Sequence, residues 1–176
     1  MPTPALPDLL QRHAGVIRKV VFAYGRDAAD RDELQQEIAV QIWRSHGRFA
    51  ARSAESTWVY RIALNVAISW FRRERRHRQR TDVLDPDALA APTAHEPSEA
   101  VDLLRRSIDA FGPLDRALVL LHLDGHDHAA IAEVLGISVS NVGTRLSRVR
   151  QRLREVLAPR LAPEPPAESE PDHGTR

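Results

Sequence analysis

Residues 127–154 read DHAAIAEVLGISVSNVGTRLSRVRQRLR, and the order of apolar, turn and basic positions in this stretch decides the architecture. Ala129, Ala130, Ile131, Ala132, Val134 and Leu135 make a short apolar helix. Gly136 tolerates the left-handed backbone of a tight turn, Ile137 is expected as a buried turn residue, and Ser138 carries an oxygen that caps the next helix. In that second helix Val142, Leu146, Val149 and Leu153 recur at three- and four-residue spacing and face inward. Ser140, Asn141, Thr144, Arg145 and Arg148 are left outside near its N-terminal half, the part of a recognition helix that enters a major groove. Asn pairs bidentately with adenine and Arg with guanine, so these side chains suit base reading. Arg150, Arg152 and Arg154 further along suit phosphates. A helical hairpin in an unrelated bundle is the plain alternative. Against it stand the spacing of Ile131-Ala132, Gly136-Ile137-Ser138 and Val142, and arginines confined to the outward face.

Upstream, the pattern is helical throughout. Ser98 is a candidate cap for a helix carrying Val101, Leu104, Ile108 and Phe111; Gly112 breaks it, and Pro113 fits the first turn of another with Leu114, Leu118 and Leu121 inside. Near the start, Leu9, Leu10, His13, Val16, Ile17, Val20 and Val21 predict one helix over 7–24, stopped at Gly25. Asp30 is the expected cap of a helix over 31–45, with Leu34, Ile38 and Ile42 on one face and Glu33, Gln36, Glu37 and Gln41 on another. A long helix over 57–76 shows a stripe of Trp58, Ile62, Val66 and Trp70, then runs into an arginine block. No segment alternates with period two. The expected fold is all-α, with two small helical lobes (an N-terminal bundle over 6–80 and a helix-turn-helix lobe over 98–157). Residues 81–97, with Pro86, Pro92 and Pro97, read as a flexible linker, and 158–176 as a disordered tail.

Charge is segregated along the 176 residues although the formal net charge is only +1. Arg72 to Arg80 holds six arginines and one acid; Asp82 to Asp102 holds six acids and no Lys or Arg; Arg145 to Glu155 holds five arginines and one acid. The basic blocks suit phosphates and the acidic stretch repels them. The absence of cysteine excludes disulfide staples, thiolate metal sites and a cysteine nucleophile, and fits a reducing cytoplasm. Neither a signal peptide nor a spanning apolar run is legible. Of His122, His126 and His128 only the first two share the four-residue spacing of two ligands on one helix face, and the Asp124-Gly125 turn interrupts that helix; no phosphate loop, serine elbow or carboxylate pair gives an enzyme a motif. The expectation is a cytoplasmic protein with no metal, no cofactor and no catalytic residues.

The stretch Asp124-Gly125, Ile131-Ala132-Glu133-Val134-Leu135-Gly136-Ile137-Ser138, Val142, Arg145-Leu146, Arg148, Arg150 and Leu153-Arg154 resembles the minus-35-reading region of sigma-70 family factors, most of all their extracytoplasmic-function (ECF) subgroup. Asp32-Glu33-Leu34-Gln35-Gln36-Glu37-Ile38 with Ile42-Trp43-Arg44 resembles the family's polymerase-clamp signature. The run Thr57 to Ile68, with Phe71-Arg72-Arg73, resembles the segment that opens and reads the minus-10 element. The likeness spans residues 9–78 and 98–157. It departs at Ser69, at Phe111-Gly112-Pro113, and at Ser140-Asn141 and Gly143 of the recognition helix.

The resemblance implies core RNA polymerase and promoter DNA as partners, with an anti-sigma factor as a further one. It implies polymerase binding by Glu33, Leu34, Gln36, Glu37 and Arg44, and minus-10 contacts by Arg61, Asn65, Arg72, Arg73 and Arg76. It implies minus-35 contacts by Ser138, Ser140, Asn141, Thr144, Arg145 and Arg148. Two alternatives remain at this point: a helix-turn-helix regulator that never engages polymerase, and an interaction module that sequesters one.

Overall fold

The computed structural model describes residues 6–47, 49, 54–81 and 111–161. Among them all regular structure is helical: α1 (Leu6–Arg12), α2 (Ala14–Tyr24), α3 (Ala28–His46), α4 (Glu55–Thr81), α5 (Pro113–Leu123), α6 (His128–Leu135) and α7 (Val139–Leu161). The expected linker, tail and Ser98-capped helix lie outside the described residues, apart from Phe111, which is buried.

The first helix is two, not one. The run breaks at His13 (φ −102°, ψ 12°), whose ring is drawn to the Glu55 carboxylate at 2.8 Å, where Arg12 also donates at 2.9 Å. Backbone bonds from His13 to Leu9 and from Ile17 to His13 cross the break, so the axis bends without losing its ladder. Gly25 ends α2 as expected, but in extended rather than left-handed geometry. A Cβ there would lie 2.7 Å from Cγ of Arg31, so glycine is required by close approach.

Asp30 does not cap α3. Asp27 does, accepting from the Asp30 amide at 2.8 Å, while the Asp30 carboxylate is taken by Arg78 of α4 at 2.8 and 3.0 Å. Leu34, Ile38 and Ile42 are fully buried, as their spacing predicts. On α4 the expected stripe is displaced: Val59, Tyr60, Ala63, Leu64, Ala67 and Trp70 are buried, whereas Trp58, Ile62 and Val66 lie half-buried beside them. The buried face is centred on Ala63 and Ala67, with Val59, Tyr60, Leu64 and Trp70 around them, and Trp58, Ile62 and Val66 fall along its edge.

In the second lobe Pro113 opens α5 and Asp127 caps α6 by accepting from the Ala130 amide at 2.8 Å. Gly136 adopts φ +65°, and Ser138 Oγ accepts from the Asn141 amide at 3.2 Å to start α7. Val142, Leu146 and Val149 are buried; Leu153 and Ile137 are only partly so. The helix-turn-helix is therefore held by its left-handed glycine and its two caps.

The two lobes pack against one another. A continuous apolar cluster runs from Leu9 to Leu146 through both. Tyr24 donates to the Pro113 carbonyl at 2.5 Å, and buried Arg116 donates to the carbonyls of Phe111 and Ala23, each at 3.1 Å, with its guanidinium 4.6 Å from the centre of the Phe71 ring. Burial pushes the Tyr24 hydroxyl well above its ordinary pKa, against the pull of Arg116, so the phenol remains a donor at any working pH.

Two outcomes are expected of stability measurements. Gly136→Ala should destabilise by about 1 kcal/mol, because it forces a Cβ into a left-handed backbone, while Gly15→Ala, within α2 and in open space, should stabilise by roughly 0.5–1 kcal/mol in urea titrations. The Glu55 carboxyl is held below its ordinary value of 4.5, first by the His13 hydrogen bond and then by Arg12. A depressed folded pKa gives stability that is complete above 4.5 and lost as pH falls through the folded value. Glu55→Gln should thus flatten the acid limb of melting temperature against pH.

Candidate nucleic-acid interface

Three patches carry the residues singled out in the sequence. On α3, Glu33, Gln36 and Arg44 are exposed and Glu37 is half-buried. They line a groove between α3 and α4 with Val40, Gln41 and Val66, and the groove continues along Ile62, Asn65 and Ser69. Leu34 is the exception: with no exposed surface it belongs to the core and holds the helix instead of touching a partner. The structure adds Val40, 44% exposed, and shows Trp43, part of the clamp signature but not among the expected contact residues, to be 62% exposed. The signal was present in the spacing, since Trp43 falls about 100° from Ile42 and so off the buried stripe.

On α4, Arg61, Asn65, Arg72 and Arg76 fall within roughly 60° of one another at 100° per residue and form one basic face. Asn65, Arg72 and Arg76 are exposed. Arg73 points elsewhere, toward α3, where it meets Glu37 at 2.5 Å and Glu33 at 3.7 Å. It joins the first patch to the second and neutralises part of the acidic face. Arg61 is held from the other lobe, donating to the Glu133 carbonyl at 3.0 Å and to its carboxylate at 3.2 Å.

On α7, Ser140, Asn141, Thr144 and Arg148 are exposed at one end of the helix. Ser138 is engaged first as the cap, and Thr144 donates back to the Ser140 carbonyl at 3.0 Å. Arg145 is half-buried: its Nε meets the Asn141 side-chain oxygen at 3.1 Å and its Nη1 meets Asp115 of α5 at 2.8 Å. The guanidinium is thereby held in a fixed orientation at the edge of the exposed face of α7.

Between the lobes Asp124, at the end of α5, accepts from Lys19 at 2.5 Å and from the Tyr60 hydroxyl. Partial burial pushes the Asp124 carboxyl up, but these hydrogen bonds outweigh it and hold it below the ordinary aspartate value. Burial and the hydrogen bond to Asp124 push the Tyr60 hydroxyl up. Among the described residues no group of three or more His, Cys, Asp or Glu gathers as metal ligands, and none of the helices is long and apolar enough to cross a membrane.

The sequence model of Sigma-70 region 2 matches residues 9–77 and that of Sigma-70 region 4 matches residues 102–153. The RNA polymerase sigma factor CarQ of Myxococcus xanthus is 31% identical over 160 residues, covering 87% of this chain and 89% of CarQ. The ECF RNA polymerase sigma factor SigX of Bacillus subtilis is 30% identical over 145 residues, 77% of this chain and 74% of SigX. This chain is an ECF sigma factor of the sigma-70 family.

The ECF sigma factor SigE of Mycolicibacterium smegmatis is 27% identical, and the chain spans 62% of its length. In fold, the ECF chain is similar to the sigma factor RpoE of Bartonella quintana, solved in complex with the anti-sigma factor NepR, at a TM-score of 0.67 and 21% identity, covering 86% of this chain and 97% of that one. CnrH in complex with the cytosolic domain of CnrY gives a TM-score of 0.64 at 21% identity, covering 88% of each chain.

Burial separates the two classes of residue on α3. Leu34→Ala should cost about 3 kcal/mol of unfolding free energy through the cavity it leaves. Glu37→Lys should leave the melting temperature within a few degrees yet weaken binding to core polymerase, measured by fluorescence titration with purified core.

Proposed function

We propose that this ECF sigma factor binds core RNA polymerase and directs promoter-specific initiation of transcription, with no covalent chemistry of its own. The observation that carries the reading is the combination in one chain of an exposed Glu/Gln face on α3, a basic face along α4 and a capped recognition helix at α7. A helix-turn-helix alone fits many regulators; the other two surfaces fit a protein that engages both polymerase and melted DNA.

In this reading Glu33, Gln36, Glu37 and Arg44 meet the polymerase clamp, with Val40 and Trp43 as apolar anchors of the sort that carry binding energy at protein interfaces. Arg61, Asn65, Arg72 and Arg76 track the opened minus-10 strand, where unstacked bases need polar pockets beside a cationic path. Arg73 serves first to fix the Glu37 carboxylate. Ser140, Asn141, Thr144, Arg145 and Arg148 read the minus-35 duplex, with Ser138 holding the start of the helix. Residues 6–80 and 98–157 act as the two binding lobes, 81–97 as the link between their sites and 158–176 as a tail. The working compartment is the cytoplasm, where polymerase and promoter are. The solved relatives held by NepR and CnrY support an anti-sigma factor as a further partner.

The deciding experiment is in vitro transcription with bacterial core polymerase on a genomic fragment library, with and without the protein. Discrete starts that require it, with a shared upstream sequence, are expected; Arg145→Ala should remove them while core binding persists. Failure to bind core, together with tight duplex binding by the protein alone, would replace this reading with that of a regulator.

A further inference from the structure

The contact between Arg61 and Glu133 joins a residue of the proposed minus-10 face to the first helix of the helix-turn-helix. The minus-10 and minus-35 elements are separated by more than 60 Å of duplex, at about 3.4 Å per base pair. The second lobe, over residues 111–161, is only about 25 Å across for a compact unit of that length. Both promoter elements therefore cannot be bound while Arg61 touches Glu133.

We propose that Glu133 is a cis-acting substitute for a DNA phosphate, which occupies Arg61 in the chain free of polymerase and closes the minus-10 face until the lobes part. This rests on the sigma-factor reading and adds the state of the factor before it meets polymerase. Three features carry it. The Glu133 side chain is 57% exposed and that of Arg61 39%, so the pair is not part of the core and a polyanion reaches it. The same interface is latched by a second acid of the same lobe, Asp124, which takes Lys19 from α2 and Tyr60 from α4. The closure is also asymmetric: Ser140, Asn141, Thr144 and Arg148 of α7 remain exposed, whereas Arg61 is held. Single-stranded DNA has to compete with Glu133, and its apparent affinity falls by the fraction of chains that are open.

The test titrates the full chain against a fluorescein-labelled 20-nucleotide single strand of mixed sequence, read by anisotropy at about 0.1 M salt. Glu133→Gln should bind about three- to tenfold more tightly than the parent, and Glu133→Gln with Asp124→Asn more tightly still, with a larger radius of gyration by small-angle scattering. Glu155→Gln removes the same charge from α7, where Glu155 accepts from Gln151 of its own helix, and should gain far less. In an Arg61→Ala background Glu133→Gln should gain nothing beyond the Glu155→Gln control. Equal gains from Glu133→Gln and Glu155→Gln would overturn the proposal, leaving general charge relief as the cause. A parent chain already as expanded as the double variant would overturn it as well. Core-polymerase binding, measured on the same proteins, reports on the sigma-factor reading separately, because the single-strand comparison needs no polymerase.

Discussion

The close seam of α3 on α4 is the constraint on which the rest depends. Leu34, Ile38 and Ile42 fill one side with no exposed surface, and Ala63 and Ala67 are buried on α4. Larger side chains at these two positions would overfill the core on which α4 sits, and the groove that runs from Glu33 to Ser69 between α3 and α4 depends on that packing. The ties at the ends of this packing are polar: Asp30 to Arg78 at one end, and Arg73 to Glu37 further along. The position of the polar faces thus follows from apolar and small residues that never touch a ligand.

Arg116 is the second constraint, because a guanidinium at 3% exposure has to be satisfied inside the protein. Taking such a cation out of water costs several kcal/mol unless hydrogen bonds and polarisable groups replace the solvent. Here a carbonyl on each lobe and the face of Phe71 do so, and the geometry is met only when α5 lies against α2 and α4. A charge satisfied by both lobes specifies how they dock more narrowly than the surrounding leucines and valines, which pack tolerably in many registers. The same logic applies to Tyr24, whose hydroxyl finds its acceptor on the opposite lobe.

Much of this was legible in the chain. The Gly136 turn, the Ser138 cap, the Pro113 start and the Leu34-Ile38-Ile42 stripe are local signals, and local physics decides them. What was misread turned on partners far away in sequence. Asp30 looks like a cap until Arg78, 48 residues on, claims its carboxylate and leaves the cap to Asp27. His13 looks like part of one helix until Glu55 turns it. The α4 stripe was placed by side-chain size, which hides the alanines at the centre of the buried face. Leu34 sits inside a polymerase-binding signature, yet its period-four partners place it in the core. The docking of the lobes had no signature at all, because Arg116, Tyr24 and Asp124 are unremarkable until the fold brings their partners within reach.

Ion pairs in this protein divide by burial, and the division separates what holds the fold from what a nucleic acid is able to exchange. Arg78 with Asp30, at 27% and 12% side-chain exposure, lies where neither partner is easily rehydrated, and Glu74 holds the same guanidinium at 2.6 Å. Arg61 with Glu133, Arg73 with Glu37, and Arg145 with Asp115 are exposed between 30% and 57%. Pairs of that kind are worth little on balance, since solvent screens them and two long side chains must be ordered. In the proposed reading this weakness has a use for Arg61 and Arg145: each guanidinium is already oriented by a carboxylate, and trading that acid for a phosphate would change the partner without a large loss. The acid left behind is then solvated if the lobes have separated and repelled by DNA if they have not. For Arg61, whose acid lies on the other lobe, the gain in charge complementarity would be complete only in the proposed open arrangement, and phosphate binding at α4 would then itself favour separation of the lobes.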